Sequence, residues 1–193
     1  KRYTYQVEIV NLEKNIAIFK DIITESEAEI LRNIAIGASE DQWDIYNHFE
    51  RDDKNEWDDR ILAISHVPSI MDEHKDLISS VYNRIQDAIS THLNKHDYVY
   101  VGFNSIYRAR TGDFMNPHHD SGLGPHVKYG AVLYLNDGFE GGEIYYPKLD
   151  IEIKPITRSL VLHAANPIYM HGVKPVISGV RYFMTTFIEL PRN

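Results

Sequence analysis

The sequence predicts an α+β fold in which helices come first and a β-sandwich or jelly roll follows. Two observations carry this expectation. Helical periodicity is confined to the first half of the chain. After Asp97 the pattern turns to short runs rich in Val, Ile, Tyr, Phe and Thr, separated by Gly, Pro, Asn and Asp. A third observation, the lack of internal repeats and of any Pro/Gly/Ser-rich linker, favours one domain over residues 1–193, with helical support over 1–97 and a β core over 98–193.

The elements follow in order. Ile16-Ala17-Ile18-Phe19 reads as a short strand. Thr24-Glu25-Ser26-Glu27 has the form of a capping box, and Ala28, Ile30, Leu31, Ile34 and Ala35 recur behind it at helical spacing. This predicts a helix from about Glu25 to Ile36, ended near Gly37. Met71 to Leu93 carries the clearest apolar stripe, which reads as core packed on one face of a sheet. Seven strands are expected at 98–108, 128–135, 142–146, 151–153, 159–163, 172–176 and 180–189.

Residues 40–60 fit neither period. They hold nine acids against three bases, with Trp43, Tyr46, Phe49 and Trp57 among them. Either a solvated acidic loop with tucked aromatics or a substrate-facing flap fits this composition.

Composition narrows the chemistry. The 193 residues are 43% hydrophobic and 25% charged, enough to bury a core without staples. There is no cysteine, which excludes disulfides, thiolate nucleophiles, zinc–thiolate sites and iron–sulfur clusters. Any metal must bind through nitrogen and oxygen, and ten histidines are available. The net charge of −8 argues against a basic nucleic-acid-binding surface. No apolar run approaches the roughly 18 residues of a membrane span. Lys1-Arg2-Tyr3-Thr4-Tyr5 lacks a signal-peptide core, so a cytoplasmic location without membrane attachment is the expectation.

The informative stretch is Pro117-His118-His119-Asp120. His-x-Asp sets two ligand side chains on one side of an extended strand end. Alone, such a triplet is more often a polar turn than a metal site. His171 lies far downstream in Tyr169-Met170-His171-Gly172-Val173. In a jelly roll, strands distant in sequence become antiparallel neighbours, so His171 can close a triad of two histidines and one carboxylate. That set leaves open positions on one face of a non-haem Fe(II) ion. Arg181 alternates with Phe183, Thr185 and Phe187 onto one face of the last strand. A buried arginine needs an anion, which is either a dicarboxylic cosubstrate held as a bidentate pair or a structural acid such as Glu143.

These blocks together resemble the 2-oxoglutarate- and Fe(II)-dependent oxygenases, in particular the prolyl 4-hydroxylase-like branch. The resemblance covers roughly Tyr98 to Leu190. It is carried by Tyr107-Arg108-Ala109-Arg110-Thr111-Gly112, Pro117-His118-His119-Asp120, Tyr134-Leu135-Asn136, Gly141-Gly142-Glu143, and His171-Gly172-Val173 through Gly179-Val180-Arg181. It implies a double-stranded β-helix (jelly-roll) core with N-terminal helices packed on one sheet. It implies Fe(II) held by His118, Asp120 and His171, with 2-oxoglutarate and O2 as co-reactants and ascorbate as a candidate reductant. It also implies that Arg181 binds the far carboxylate of 2-oxoglutarate, with Tyr134, Tyr107 and Thr185 in the same pocket. The implied reaction is hydroxylation of a prolyl residue in a peptide or protein; the alternatives are hydroxylation of another amino acid or a small molecule, or a catalytically silent jelly-roll binding module. The sequence departs from the branch at Arg181, where some members carry Lys; at Arg158, where Gly is usual; and at His163, where an aromatic is usual. The Phe114–His118 gap is also one residue longer than common. His163 is expected to face the pocket, and His119 to point away from it. The loop Gly122-Leu123-Gly124-Pro125, with His126, Lys128 and Tyr129, is expected to border the substrate. His48, His66, His74, His92 and His96 read as surface residues.

Overall fold

The computed structural model describes residues 5–11, 13, 15–43 and 59–191. Before residue 97 the chain forms β1 (Gln6–Ile9), β2 (Ile16–Lys20), α1 (Glu25–Gly37), β3 (Ile61–Leu62) and α2 (Pro68–Leu93). Next come β4 (Val99–Gly102), β5 (Ile106–Arg110), β6 (Met115–His118) and β7 (Val127–Tyr134). β8 (Glu140–Gly141), β9 (Ile144–Tyr146), β10 (Ile151–Ile153), β11 (Leu160–Ala164), β12 (His171–Val173), β13 (Val176–Ser178) and β14 (Val180–Glu189) complete the described chain.

The strands build a jelly roll. The major sheet runs β1-β2-β11-β7-β14-β5-β3, with β4 also paired to β14. The minor sheet runs β10-β9-β12-β6. Strand alternation sorts the two faces of the major sheet. Ala17, Phe19, Leu160, Leu162, Met184 and Ile188 pack with Leu31, Ile34, Val81, Ile85 and Ile89 of the two helices. Their strand neighbours Ile16, Ile18, Val161 and Phe183 turn the other way and pack with Ile144, Tyr146 and Ile153 of the minor sheet. The inter-sheet layer is thus the natural place for a buried site.

Local sequence sets the helix ends. Thr24 accepts from the backbone of Glu27 at 3.2 Å, while Glu27 accepts from the backbone of Thr24 at 2.7 Å, so the expected capping box forms. α2 begins at Pro68 rather than Met71, because proline is pre-set for the first helical position and lacks the N–H that would go unpaired there. It ends at Asn94 in the left-handed region.

Several expectations are corrected. The part expected as helical support contributes β1, β2 and β3 to the major sheet, so residue 97 is not a structural boundary. β2 enters the sheet interior because Ile16–Phe19 is buried on both faces. The strand expected over 98–108 is two strands, broken where Gly102 and Phe103 take positive φ. β4 and β5 then pair with successive stretches of β14. Tyr46, Phe49 and Trp57, and with them the suggested flap, lie outside the described residues, as does His48. Trp43 is described, and it is buried. His92 is half-buried and packs edge-on against Phe19, so it is only partly a surface residue. No helix among the described residues is long and apolar enough to cross a membrane.

Candidate active site

β6 ends at His118, Asp120 opens the short 3-10 turn that follows, and β12 begins at His171. β6 and β12 are antiparallel neighbours, with His118 and His171 directly paired. The register therefore closes the long sequence gap. The rings of the two histidines lie 4.6 Å apart, and one ligand atom from each of His118, Asp120 and His171 falls within 4.8 Å of the others. Asp120 Oδ1 stands 3.6 Å from His118 Nε2 and 3.8 Å from His171 Nε2.

Hydrogen bonds prepare both imidazoles as ligands. His118 Nδ1 donates to the Asn116 carbonyl at 3.0 Å, and His171 Nδ1 donates to the Tyr169 carbonyl at 3.1 Å. A carbonyl can only accept, so each Nε2 keeps its lone pair for a metal. Burial and the neighbouring His163 push His171 down to about 3, so it is a neutral imidazole at physiological pH. Burial pushes the Asp120 carboxyl up. The hydrogen bond from His163 and the surrounding imidazoles outweigh this and hold it below the usual carboxylate range. Imidazole nitrogens and one carboxylate suit Fe(II).

The carboxylate fits only because residue 130 is glycine. A Cβ there would lie 2.0 Å from Asp120 Oδ2 and 2.9 Å from His163 Nε2. His163, 1% exposed, does face the pocket, with Nε2 3.1 Å from Asp120 Oδ2 and Nδ1 3.0 Å from the Tyr146 hydroxyl. His119 is also at the cavity wall, and its Nδ1 is 2.8 Å from the Ser121 hydroxyl.

The cavity measures about 630 Å³. His118, Asp120, His171, Arg181, Tyr107 and Thr185 all line it, whereas Tyr134 sits behind Arg181. The face expected from β14 is observed, with Arg181, Phe183, Thr185 and Phe187 all turned inward. Tyr107 stacks on Phe183 at 5.2 Å. The Arg181 guanidinium lies 4.0 Å from the Phe183 ring centre and 5.2 Å from that of Tyr134.

Arg181 is 3% exposed and has no acidic partner among the described residues, Glu143 included. Its Nε and the Tyr134 hydroxyl are buried without hydrogen-bond partners. A buried cation beside an unpaired hydroxyl forms a receptor for a carboxylate. Asn136 braces this receptor by donating to the Val180 carbonyl at 2.8 Å and accepting from Tyr182 N at 2.8 Å, so it straddles Arg181. Gly142 makes room for it, since a Cβ there would lie 3.1 Å from Arg181 Cδ.

Sequence reasoning missed the rim. Arg60 bonds Asp113 at 2.7 Å, and Arg108 holds both oxygens of Glu40 while stacking on Trp43. These partners are far apart in sequence and share no motif. Gly122 and Leu123 of the loop expected near the substrate do line the cavity, whereas His126, Lys128 and Tyr129 do not.

Residues 103–189 match the family described as the 2OG-Fe(II) oxygenase superfamily. The match takes in β5 to β14 and both stretches that carry His118, Asp120 and His171. The family implies Fe(II), 2-oxoglutarate and O2, and the His118–Asp120–His171 set could hold the iron. Human prolyl 3-hydroxylase 2 is 34% identical over 67 residues, which is 32% of this chain and 10% of that protein. The match thus spans about a tenth of that relative's length. The fold is similar to that of the viral collagen prolyl hydroxylase of Paramecium bursaria Chlorella virus-1 in its 2OG complex. There the TM-score is 0.65 at 15% identity, covering 92% of this chain and 97% of that one. It is also similar to a Trichoplax adhaerens prolyl hydroxylase in complex with a hypoxia inducible factor peptide fragment. Here the TM-score is 0.59 at 16% identity, covering 91% and 83%. At these identities the structural likeness is one of fold.

Proposed function

We propose that the chain is a 2-oxoglutarate- and Fe(II)-dependent dioxygenase that hydroxylates prolyl residues in a peptide or protein. One observation carries this reading: Arg181, buried without an acidic partner among the described residues and backed by Tyr134, lines the same pocket as the His118–Asp120–His171 set. A metal set alone would suit many proteins. Joined to a buried receptor for a carboxylate, it suits a dicarboxylic cosubstrate with one end at the metal.

His118, Asp120 and His171 would hold the iron. Bound iron supplies O2 activation coupled to oxidative decarboxylation of 2-oxoglutarate, which places one oxygen atom on an unactivated C–H bond and leaves succinate and CO2. Arg181 takes the far carboxylate through its planar fork, and the Tyr134 hydroxyl donates a further hydrogen bond. Tyr107 and Phe183 wall this end and exclude water from the ion pair, while Thr185 adds a hydroxyl to the same face. Support for a prolyl substrate comes from the relatives above, which act on or bind such peptides by their names. Exposed Phe114 and Leu123 on the rim offer apolar contact to a peptide.

Succinate release, measured with Fe(II), 2-oxoglutarate, ascorbate and a panel of peptides, tests the reading. Prolyl peptides should raise release and gain the mass of one oxygen atom. Arg181→Ala should raise the 2-oxoglutarate KM about 10- to 100-fold, from the loss of a charged hydrogen-bonded pair of roughly 1.5–3 kcal/mol. Release driven only by lysyl peptides or a free amino acid would overturn the substrate class. A protein that binds neither Fe(II) nor 2-oxoglutarate would overturn the enzyme.

A further inference from the structure

We propose that His163, braced by Tyr146, is a positioning residue that holds Asp120 to a single metal-facing oxygen. The proposal rests on the reading that His118, Asp120 and His171 bind the metal. Its observations are otherwise separate.

The three groups form a buried chain. Tyr146 is 0% exposed, His163 1% and Asp120 5%. His163 sits in the middle of the major sheet, paired with Gly130 on β7 and Ile16 on β2. It points inward because its strand neighbour Leu162 points to the helices. The missing Cβ of Gly130 leaves the slot through which His163 Nε2 reaches Asp120 Oδ2.

The chain has one direction. Asp120 Oδ2 can only accept, so His163 Nε2 carries a hydrogen and donates it. The opposite tautomer would press two buried lone pairs together at 3.1 Å, leaving both groups unsatisfied. In that tautomer Nδ1 accepts from the Tyr146 hydroxyl at 3.0 Å. Burial raises the Tyr146 phenol well above its usual range, which keeps that donor in place.

The consequence falls on Asp120. His163 is its one hydrogen-bond donor among the described residues, and it occupies Oδ2. Oδ1 alone is turned to His118 and His171. Released from His163, the carboxylate could rotate and offer both oxygens to one cation, as carboxylates do at metal sites. Two-oxygen binding would take a position that the cosubstrate or O2 needs. Outer partners of metal ligands typically set affinity by about 10- to 100-fold.

Three variants test this: His163→Phe keeps a ring without a donor, His163→Gln keeps an N–H at the place of Nε2, and Tyr146→Phe removes the brace alone. Mn(II) affinity is read by calorimetry without turnover, and 2-oxoglutarate affinity by titration of the anaerobic Fe(II) protein. Circular dichroism checks the fold. His163→Phe should weaken Mn(II) binding about 10- to 100-fold and 2-oxoglutarate binding with it. His163→Gln should recover most of the loss, and Tyr146→Phe should fall between. Wild-type affinities in His163→Phe, or equal losses in the Phe and Gln variants, would make His163 a packing residue and end the proposal. If His163→Phe does not fold, wild-type affinities in Tyr146→Phe together with a full loss in His163→Gln end it equally. A wild-type protein that binds no Mn(II) would instead sink the metal assignment itself.

Discussion

Gly130 contributes no side chain, yet it shapes the metal pocket more than most residues that do. A methyl group there would sit 2.0 Å from Asp120 Oδ2, far inside any contact distance. Gly130→Ala should therefore displace Asp120 and abolish Mn(II) binding in calorimetry. The far-ultraviolet spectrum should stay native, since overpacking costs about 1–3 kcal/mol. Native Mn(II) affinity in this variant would show that Asp120 is not held against residue 130. At this scale the sequence was readable in part. His118, Asp120, His171 and Arg181 were legible because residue type and order together restrict the chemistry. Gly130 and Tyr146 were not, because their importance comes from register: Gly130 lies opposite His163, and nothing local to either residue says so. Arg158 gave a partial signal. It stands where a glycine was expected, and its φ of 64° shows why a glycine would suit.

Elements are joined by a few residues that serve two partners. Glu27 completes the cap of α1 and also holds both terminal nitrogens of Arg84 on α2, at 2.7 and 2.8 Å. The capping box was visible in the sequence, while the link to Arg84 was not, since only the tertiary fold brings the two helices together. The Arg84 hydrogen bonds, opposed by burial and aided by Thr24, keep the Glu27 carboxyl below its ordinary 4.5. In the unfolded chain Glu27 takes its proton near 4.5, whereas in the folded chain it does so only at lower pH. Between those values the unfolded state binds more protons, so stability falls as pH drops. The contribution is complete above 4.5 and is lost as pH falls through the folded value. Glu27→Ala should cost about 3 kcal/mol at neutral pH, because it leaves Arg84 buried with its main anion gone. It should also flatten the acid limb of a Tm-against-pH curve. An unchanged acid limb would assign that slope to other carboxyls.

For the whole molecule, the alternation of β2, β11 and β14 is the organising fact. One set of side chains seats the helices and the other builds the pocket, so the fold and the site are written on opposite faces of the same strands. This much of the architecture was legible, because helical and strand periods differ and the last strand alternates cleanly. The entry of β1, β2 and β3 into the major sheet was not, since short strands carry too few residues to announce their partners. Groups that bind only the folded pocket should stabilise the entire jelly roll. Mn(II) with 2-oxoglutarate at about 100 times its Kd should add about 2.7 kcal/mol. For a chain of this size that corresponds to a Tm rise of roughly 5–10 °C by scanning calorimetry. Asp120→Ala should remove most of the shift. An equal shift in that variant would place the binding elsewhere.

β6 is the edge strand of the minor sheet, and it carries His118 at its end. Edge strands invite pairing with another chain through their free amide and carbonyl groups. Here Pro117 has no amide hydrogen to offer such a partner. The same short segment that presents a metal ligand therefore spoils its own border as a template for self-association. The mouth of the pocket can stand open to solvent without inviting a sister molecule to zip onto it.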